Sequence, residues 1–533
     1  MSMSATFASL RVRIVRHGPN DERGFGLITG LVAAAGVVAV AVFGQTGLLH
    51  PSWFVVAVSV VGATWLFGPI LLPGSSPILD PQWFRTLPRR PISIARAMTA
   101  SEAIGVGTLL TAVALTGMIV VAAPAGPAAM AVAVVAAAAQ LFFLLWLGRC
   151  AAASATWMLR STVGTWVAAG QMSAVLAISF AGWVPLAAVL LPKLGEGRTD
   201  FVTPPVAGAP PAAVEDVLLA LPTGWGVAAV LAATSSGPSV AVVLPITGLV
   251  AGGLVLCAAW IALTAHALRR PPARTRSNIA AGRWATLRVP GRGAVPAVAD
   301  REIRTWFRDP HRRLGLAYAW ITPLLMIVLV APTSWSFALP FVGVAAAALG
   351  AMVAVNNYAL DGTALWQLLT TPGAIRADVR GRQFAWMLLF GVPLLALTIV
   401  LCLVSRSPLW AAALGMTLAA TGAACAGAPL LASVMPAIGA DARERVSTAS
   451  YTGNAAGGQW TIFAAVAAVA VLPPVVAGVS GAGLVWPVHL ALGAATCAGA
   501  LLALPALTRA QLQRSGPALL SAMAARDTSR LRR

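Results

Sequence analysis

The feature that most constrains how this chain can fold is a succession of apolar runs, each long enough as a helix to cross roughly 30 Å of hydrocarbon. They fall near 26–45, 53–72, 103–123, 127–147, 166–191 and 242–264, then near 314–331, 336–354, 384–403, 409–433, 460–478 and 482–506. With 59% hydrophobic and 10% charged residues over 533 positions, no single soluble core takes up this surface, so the bilayer must act as solvent. The expected fold is an all-α integral membrane protein of about twelve transmembrane helices in two six-helix halves.

Charge gives these runs a direction. With the N-terminus inside, the cytoplasmic segments collect 33 of the 36 lysines and arginines, leaving Lys193, Arg198 and Arg406 outside. The asymmetry predicts that both termini are cytoplasmic and attributes the net charge of +20 to topology. Arg11, Arg13, Arg16 and Arg23 resemble the n-region of a signal peptide, but apolar runs continue to the far end, so no cleaved leader is expected. A nucleic-acid-binding domain has no room: the longest cytoplasmic stretch, about 266–313, is short and rich in Pro and Gly.

The chain reads as a first transmembrane domain over 1–270, a basic linker over 271–300 and a second transmembrane domain over 301–533. In each half the loop between the second and third runs opens with Leu-Asp (Leu79-Asp80, Leu360-Asp361) and passes an aromatic turn (Trp83 and Phe84, Trp366). It then reaches a proline (Pro88, Pro372) and, eight residues on, an arginine (Arg96, Arg380). Four matches in order suggest a duplicated unit. Before the seventh run, Ile303, Trp306 and Phe307 alternate with Arg301, Arg304 and Arg308 until Asp309-Pro310. This spacing predicts a helix in the headgroup layer, aromatics buried and guanidinium groups at phosphates. Residues 193–238 form a long external segment carrying Glu196, Asp200, Glu215 and Asp216, with a short amphipathic helix expected over 212–221.

Several chemistries are poorly served. The one lysine, Lys193, is external and lacks the glycine-rich loop that cradles phosphates, so the chain supplies no Walker-type ATPase. The runs hold almost no carboxylates for proton coupling; Glu102 is the one candidate, read as an interfacial group near Arg96. Cys150, Cys257, Cys402, Cys425 and Cys497, and the five histidines, show no disulfide, haem or metal spacing. Prolines recur within the runs, and Gly248 and Gly252 stand at a spacing that permits close helix packing.

The stretches REIRTWFRDPHRR before the seventh run, NNYALDGTALWQLLTTP with Arg380 to Arg382 behind it, LLASVMPA after the tenth and ALPTGW before the sixth are similar to those of type-2 ABC exporter permeases. The likeness is to the form found in actinobacteria, with two transmembrane domains in one chain. It implies a transport subunit of a bacterial cell membrane, not itself an enzyme. Two copies of a separate ATPase would carry ATP and Mg, with no cofactor on this chain. It also implies that the loops between spans two and three meet that ATPase. Carried over, these are Asp80, Trp83, Arg85, Arg89, Arg90 and Arg96, and Asp361, Trp366, Arg376, Asp378, Arg380 and Arg382. The surface helix is carried over as Arg301, Arg304, Trp306, Phe307 and Arg308. The halves would rock around a cargo path, and the scarcity of charge in the runs favours an apolar or amphipathic cargo moved outward. After the fourth run GRCAAASATWMLRS lacks the SVMP element, so the halves are expected to differ at the ATPase.

Two other classes compete. A major-facilitator carrier also has twelve spans, and Asp378 to Arg382 partly matches its D-R-x-G-R loop, but the loop between spans two and three has no counterpart. A membrane enzyme acting on lipid-linked substrates would need clustered acids, for which Glu196, Asp200, Glu215 and Asp216 are the candidates.

Overall fold

A computed structural model describes residues 3–17, 21–71, 79, 81–158, 162–184, 212–237, 239–269, 289, 291–442, 453–481 and 485–526. Among these residues every regular element is a helix and there is no strand. Ten helices are long and apolar enough to cross a bilayer, or eleven if the bent pair Val214–Ala220 and Trp225–Ser235 forms one span. The chain is a multi-pass helical membrane protein. The first two runs lie on the helices Asp21–Gln45, of 25 residues, and Trp53–Leu71, of 19 residues. At 1.5 Å per residue these helices reach about 38 Å and about 29 Å, comparable to the hydrocarbon thickness.

The helices gather into two compact units. One contains residues 1–72, 76–157 and 200–274; the other contains 73–75, 158–199 and 275–533. The helix Thr162–Ala181 thus joins the second unit in space although it precedes the linker in sequence. There it meets the helices of the C-terminal half: Phe180 stacks on Phe463 with centroids 5.1 Å apart, and Trp183 meets Trp335 edge-on at 5.8 Å.

In the first unit, the expected external helix is extended into a hairpin. Ala212–Ala220 and Trp225–Ser236 meet at 105°. Their turn is seated by Gln140, a fully buried amide on the helix Pro127–Met158. Gln140 Nε2 donates to Pro222 O at 3.3 Å, and its Oε1 accepts from Gly226 N at 3.0 Å. Polar backbone freed by a bend needs such a partner where water is excluded. Gly248 and Gly252 do not bring two backbones together as expected; they make room for the rings of Trp225 and Phe143.

In the second unit, the helices Trp410–Val434 and Trp486–Ala525 cross at backbone distance. A Cβ on Gly422 would lie 2.5 Å from Cys497 Cα and 2.8 Å from its carbonyl oxygen. Lipid tails supply no hydrophobic drive between helices, so such close packing is what binds them. Gly422→Val is expected to cost about 2 kcal/mol, seen as a lower thermal midpoint in detergent. Gly499→Val, where a Cβ meets nothing within 4 Å, should leave the midpoint in place.

Around Phe390, buried in the π-turn Met387–Gly391, stand Trp306 at 5.7 Å, Trp320 at 6.2 Å and Trp386 at 5.5 Å. The π-turn precedes Pro393, which has no N–H to return to Leu389 O, so the α-pattern is interrupted there.

Candidate functional site

The second unit concentrates buried charge at one end of its spans. The helix Ala294–Arg308 has Ala299, Glu302, Ile303 and Trp306 on one face, and all four are buried. A carboxylate in that apolar stripe requires a partner. The chain then turns at Asp309, whose Oδ1 accepts from His311 N at 2.9 Å and Arg312 N at 3.2 Å. Pro310 follows as the first helical residue, so Pro310–Val330 starts with a capped N-terminus and a fixed direction.

That start delivers Arg312, whose side chain is fully buried, to Glu302 Oε1 at 2.7 Å and Asp361 Oδ1 at 2.6 Å. It also donates to Asn357 O at 3.1 Å. From the helix Ala374–Trp386 comes Arg382, 3% exposed, which meets Glu302 Oε2 at 3.2 Å, Asp378 Oδ2 at 2.7 Å and also Asp361. Its guanidinium lies 4.6 Å above the ring centre of Tyr358. Arg301 closes the network on Asp378 Oδ1 at 3.0 Å. Ala374–Trp386 approaches the surface helix this closely because Gly381 has no Cβ, which would lie 2.5 Å from the Val298 side chain.

Three arginines and three carboxylates thus balance, and each buried guanidinium has more than one acceptor, which is what burial of charge demands. Burial would raise the Asp361 carboxyl, but Arg382 and Arg312 outweigh it and hold the group well below the ordinary carboxylate range. The Tyr358 hydroxyl is pushed well up by burial and by the Asp378 charge.

A second clasp joins the loop to the end of Trp410–Val434. Asn356 Nδ2 donates to Ala437 O at 3.0 Å and its Oδ1 accepts from Ala437 N at 2.9 Å. Asp441 Oδ2 accepts from Thr363 N at 2.9 Å and Thr363 Oγ1 at 2.7 Å. Both the NNYALDG and SVMPA stretches therefore serve the same joint.

The sequence-derived loop residues divide accordingly. Asp361, Asp378 and Arg382 lie within the ion network. Trp366, 48% exposed, and Arg376 face outward. Arg380 is also exposed and donates to Leu501 O at 3.4 Å. In the first unit Trp83, 60% exposed, and Arg85, Arg89, Arg90 and Arg96 are exposed; Asp80 lies outside the described residues. The two loops match in form, since each has a short helical turn bearing an exposed tryptophan, then a proline, then a helix bearing an exposed arginine.

On the surface helix Arg301 and Arg308 are exposed, while Arg304 and Phe307 are partly so. Trp306, expected in the headgroup layer, is 2% exposed and packs on Phe390 inside the protein. Its indole is covered by the span helices, which compete with lipid for the same apolar face.

Sequence reasoning passed over Glu302, Arg312, Asn356 and Asn357 as site residues. Glu302 carried a legible signal, a carboxylate three residues from Ala299 and four from Trp306 on an apolar stripe. Glu102 is placed differently from the expectation. It is 5% exposed and paired with Arg11 Nη1 and Arg149 Nε, each at 2.9 Å, while Arg96 faces outward. The helix Met3–His17 packs on Pro91–Glu102 and brings Arg11 across 91 positions of sequence.

Glu102→Gln is expected to cost about 3 kcal/mol because it strands the buried Arg11. A Glu102→Gln protein of unchanged thermal midpoint that lost pH-driven transport would instead mark a proton-coupling carboxylate. Of the external acids, Asp216 is exposed and Glu215 partly exposed on Ala212–Ala220; Glu196 and Asp200 lie outside the described residues. Compared with known proteins, the chain matches no family model, no curated protein and no solved structure.

Proposed function

We propose that this chain is the membrane-spanning permease of an ATP-driven exporter, with ATP and Mg bound by a separate ATPase that docks on the loops after the second and eighth runs. The supporting observation is how the second loop is held. Trp366, Arg376 and Arg380 are outward, while Asp361, Asp378 and Arg382 tie the same loop to the surface helix and to the first turn of Pro310–Val330. Force applied to the exposed residues is delivered to a span instead of being absorbed by a soft loop. An ATPase that prefers one state of the loop then shifts the equilibrium of the spans between inward-open and outward-open forms.

Other features support the reading. The chain has no lysine suited to a phosphate loop, so the energy source is external to it. The buried ion pairs of the described residues join helix ends and loops, which leaves the spans suited to an apolar or amphipathic cargo. The arginine-rich ends face the cytoplasm of a bacterial cell.

The test is affinity purification of the tagged chain from its native membrane. Co-elution of a protein carrying GxxxxGK[ST], released by loop substitutions and not by substitutions at the opposite helix ends, supports the proposal. Transport by the purified chain alone, driven by an ion gradient, sinks it.

A further inference from the structure

The surface helix has a second face that the ion network does not use. Arg301, Arg304 and Arg308 line an open cleft of about 390 Å³ whose wall continues through Asp309 and Pro310. The opposite face, with Ile303 and Trp306, is buried in the protein, so these arginines are directed away from the core. Two of them are oriented by carboxylates yet remain open: Arg301 by Asp378, with 52% of its side chain exposed, and Arg304 by Asp300, with 40% exposed. Among the described residues no carboxylate pairs with Arg308, which is exposed.

The position of the cleft identifies its occupant. Pro310–Val330 has 21 residues and therefore a length of about 31 Å, close to the hydrocarbon thickness. When that helix spans the bilayer, Asp309 and Pro310 stand at its boundary, where phospholipid phosphates lie. Asp309 is engaged in capping, which draws its charge toward the amides of His311 and Arg312. Guanidinium forks held at that depth match a phosphate in both geometry and charge.

We infer that the cleft binds the phosphate of an anionic phospholipid headgroup, with Arg304 and Arg308 as its principal donors. A zwitterionic headgroup brings its own cation into a cleft already rich in arginine and is disfavoured. This site rests on the membrane character of the chain and not on the ATPase partner, so either can fail alone.

The test uses the full chain in neutral detergent, titrated with short-chain phosphatidylglycerol and read by native mass spectrometry. Parallel titrations use phosphatidylcholine and inorganic phosphate. Phosphatidylglycerol should be retained in preference to both. The double variant Arg304→Gln/Arg308→Gln should weaken it roughly 25-fold, about fivefold for each arginine near the surface. Arg304 pairs with Asp300 on the same helix, so the double variant should keep its thermal midpoint. If it unfolds, Arg308→Gln alone should give the fivefold loss.

Unchanged retention in these variants overturns the proposal. So does displacement of the lipid by inorganic phosphate at similar concentration, which would mark a site for a free anion. Variants that keep the lipid but release a co-purifying ATPase would assign the cleft to a protein contact and overturn it equally.

Discussion

Arg382→Ala is expected to lower stability by about 3–5 kcal/mol, the cost of removing one partner from a buried ionic network. The side chain is 3% exposed and serves Glu302, Asp361 and Asp378 together. Without it the buried carboxylates of Glu302 and Asp378 each lose a guanidinium partner. Arg312 then has to balance both Glu302 and Asp361, and Arg301 alone is left for Asp378. Arg382→Lys should fall between, since an ammonium keeps the charge but cannot present a planar fork to three carboxylates. Arg380→Ala, two residues away and exposed, should change stability by no more than about 0.5 kcal/mol.

Thermal unfolding of the detergent-solubilised chain reads all three variants. Acid gives an independent check. Asp361 is held below the ordinary range, so its stabilising contribution is complete above about pH 4 and disappears only as pH falls through the lowered value. The unfolding midpoint should be flat in this contribution at pH 5 and above. A loss centred near pH 6 would contradict the assigned pairing.

The outward residues of the same loop should give the reverse result. A combined Trp366→Ala/Arg376→Glu/Arg380→Glu variant is expected to keep its thermal midpoint and lose at least roughly tenfold in affinity for the proposed ATPase, because tryptophan and arginine dominate protein contacts. Its cargo transport should fall with ATPase binding. The pair of experiments separates two functions that sequence placed on one list. Arg382 and Asp378 hold the loop, and Trp366, Arg376 and Arg380 are its exposed residues.

That division shows what was legible in the sequence. The runs near 127–147, 314–331 and 409–433 were readable as spans because length and composition are properties of one segment at a time. The first two runs, near 26–45 and 53–72, fall on the helices Asp21–Gln45 and Trp53–Leu71. The loop repeat from Leu360-Asp361 to Arg380 was visible as pattern, and both loops show the same alternation of exposed tryptophan, proline and exposed arginine.

Contacts between distant segments were not readable. Arg11 meets Glu102 because the helix Met3–His17 lies against Pro91–Glu102, and no spacing rule reaches across that interval. The placement of Thr162–Ala181 in the second unit is likewise a matter of tertiary packing, since its composition suits any neighbour in the membrane. Glu302 is the intermediate case. Its position in an apolar stripe announced a buried charge, but identifying Arg312 and Arg382 as its partners required the fold.

The central claim is that the loop spanning Asp361 to Arg382 is the seat of an ATP-hydrolysing partner. It is tested most directly by a photo-crosslinking amino acid placed at Trp366 and, in a separate variant, at Trp486, which is exposed at the start of the helix Trp486–Ala525, the end away from this loop. Irradiation of native membranes should join position 366 to a protein bearing a phosphate-binding GxxxxGK[ST] loop, while position 486 gives lipid adducts. Absence of that adduct at 366, or its appearance with equal yield at 486, would contradict the account.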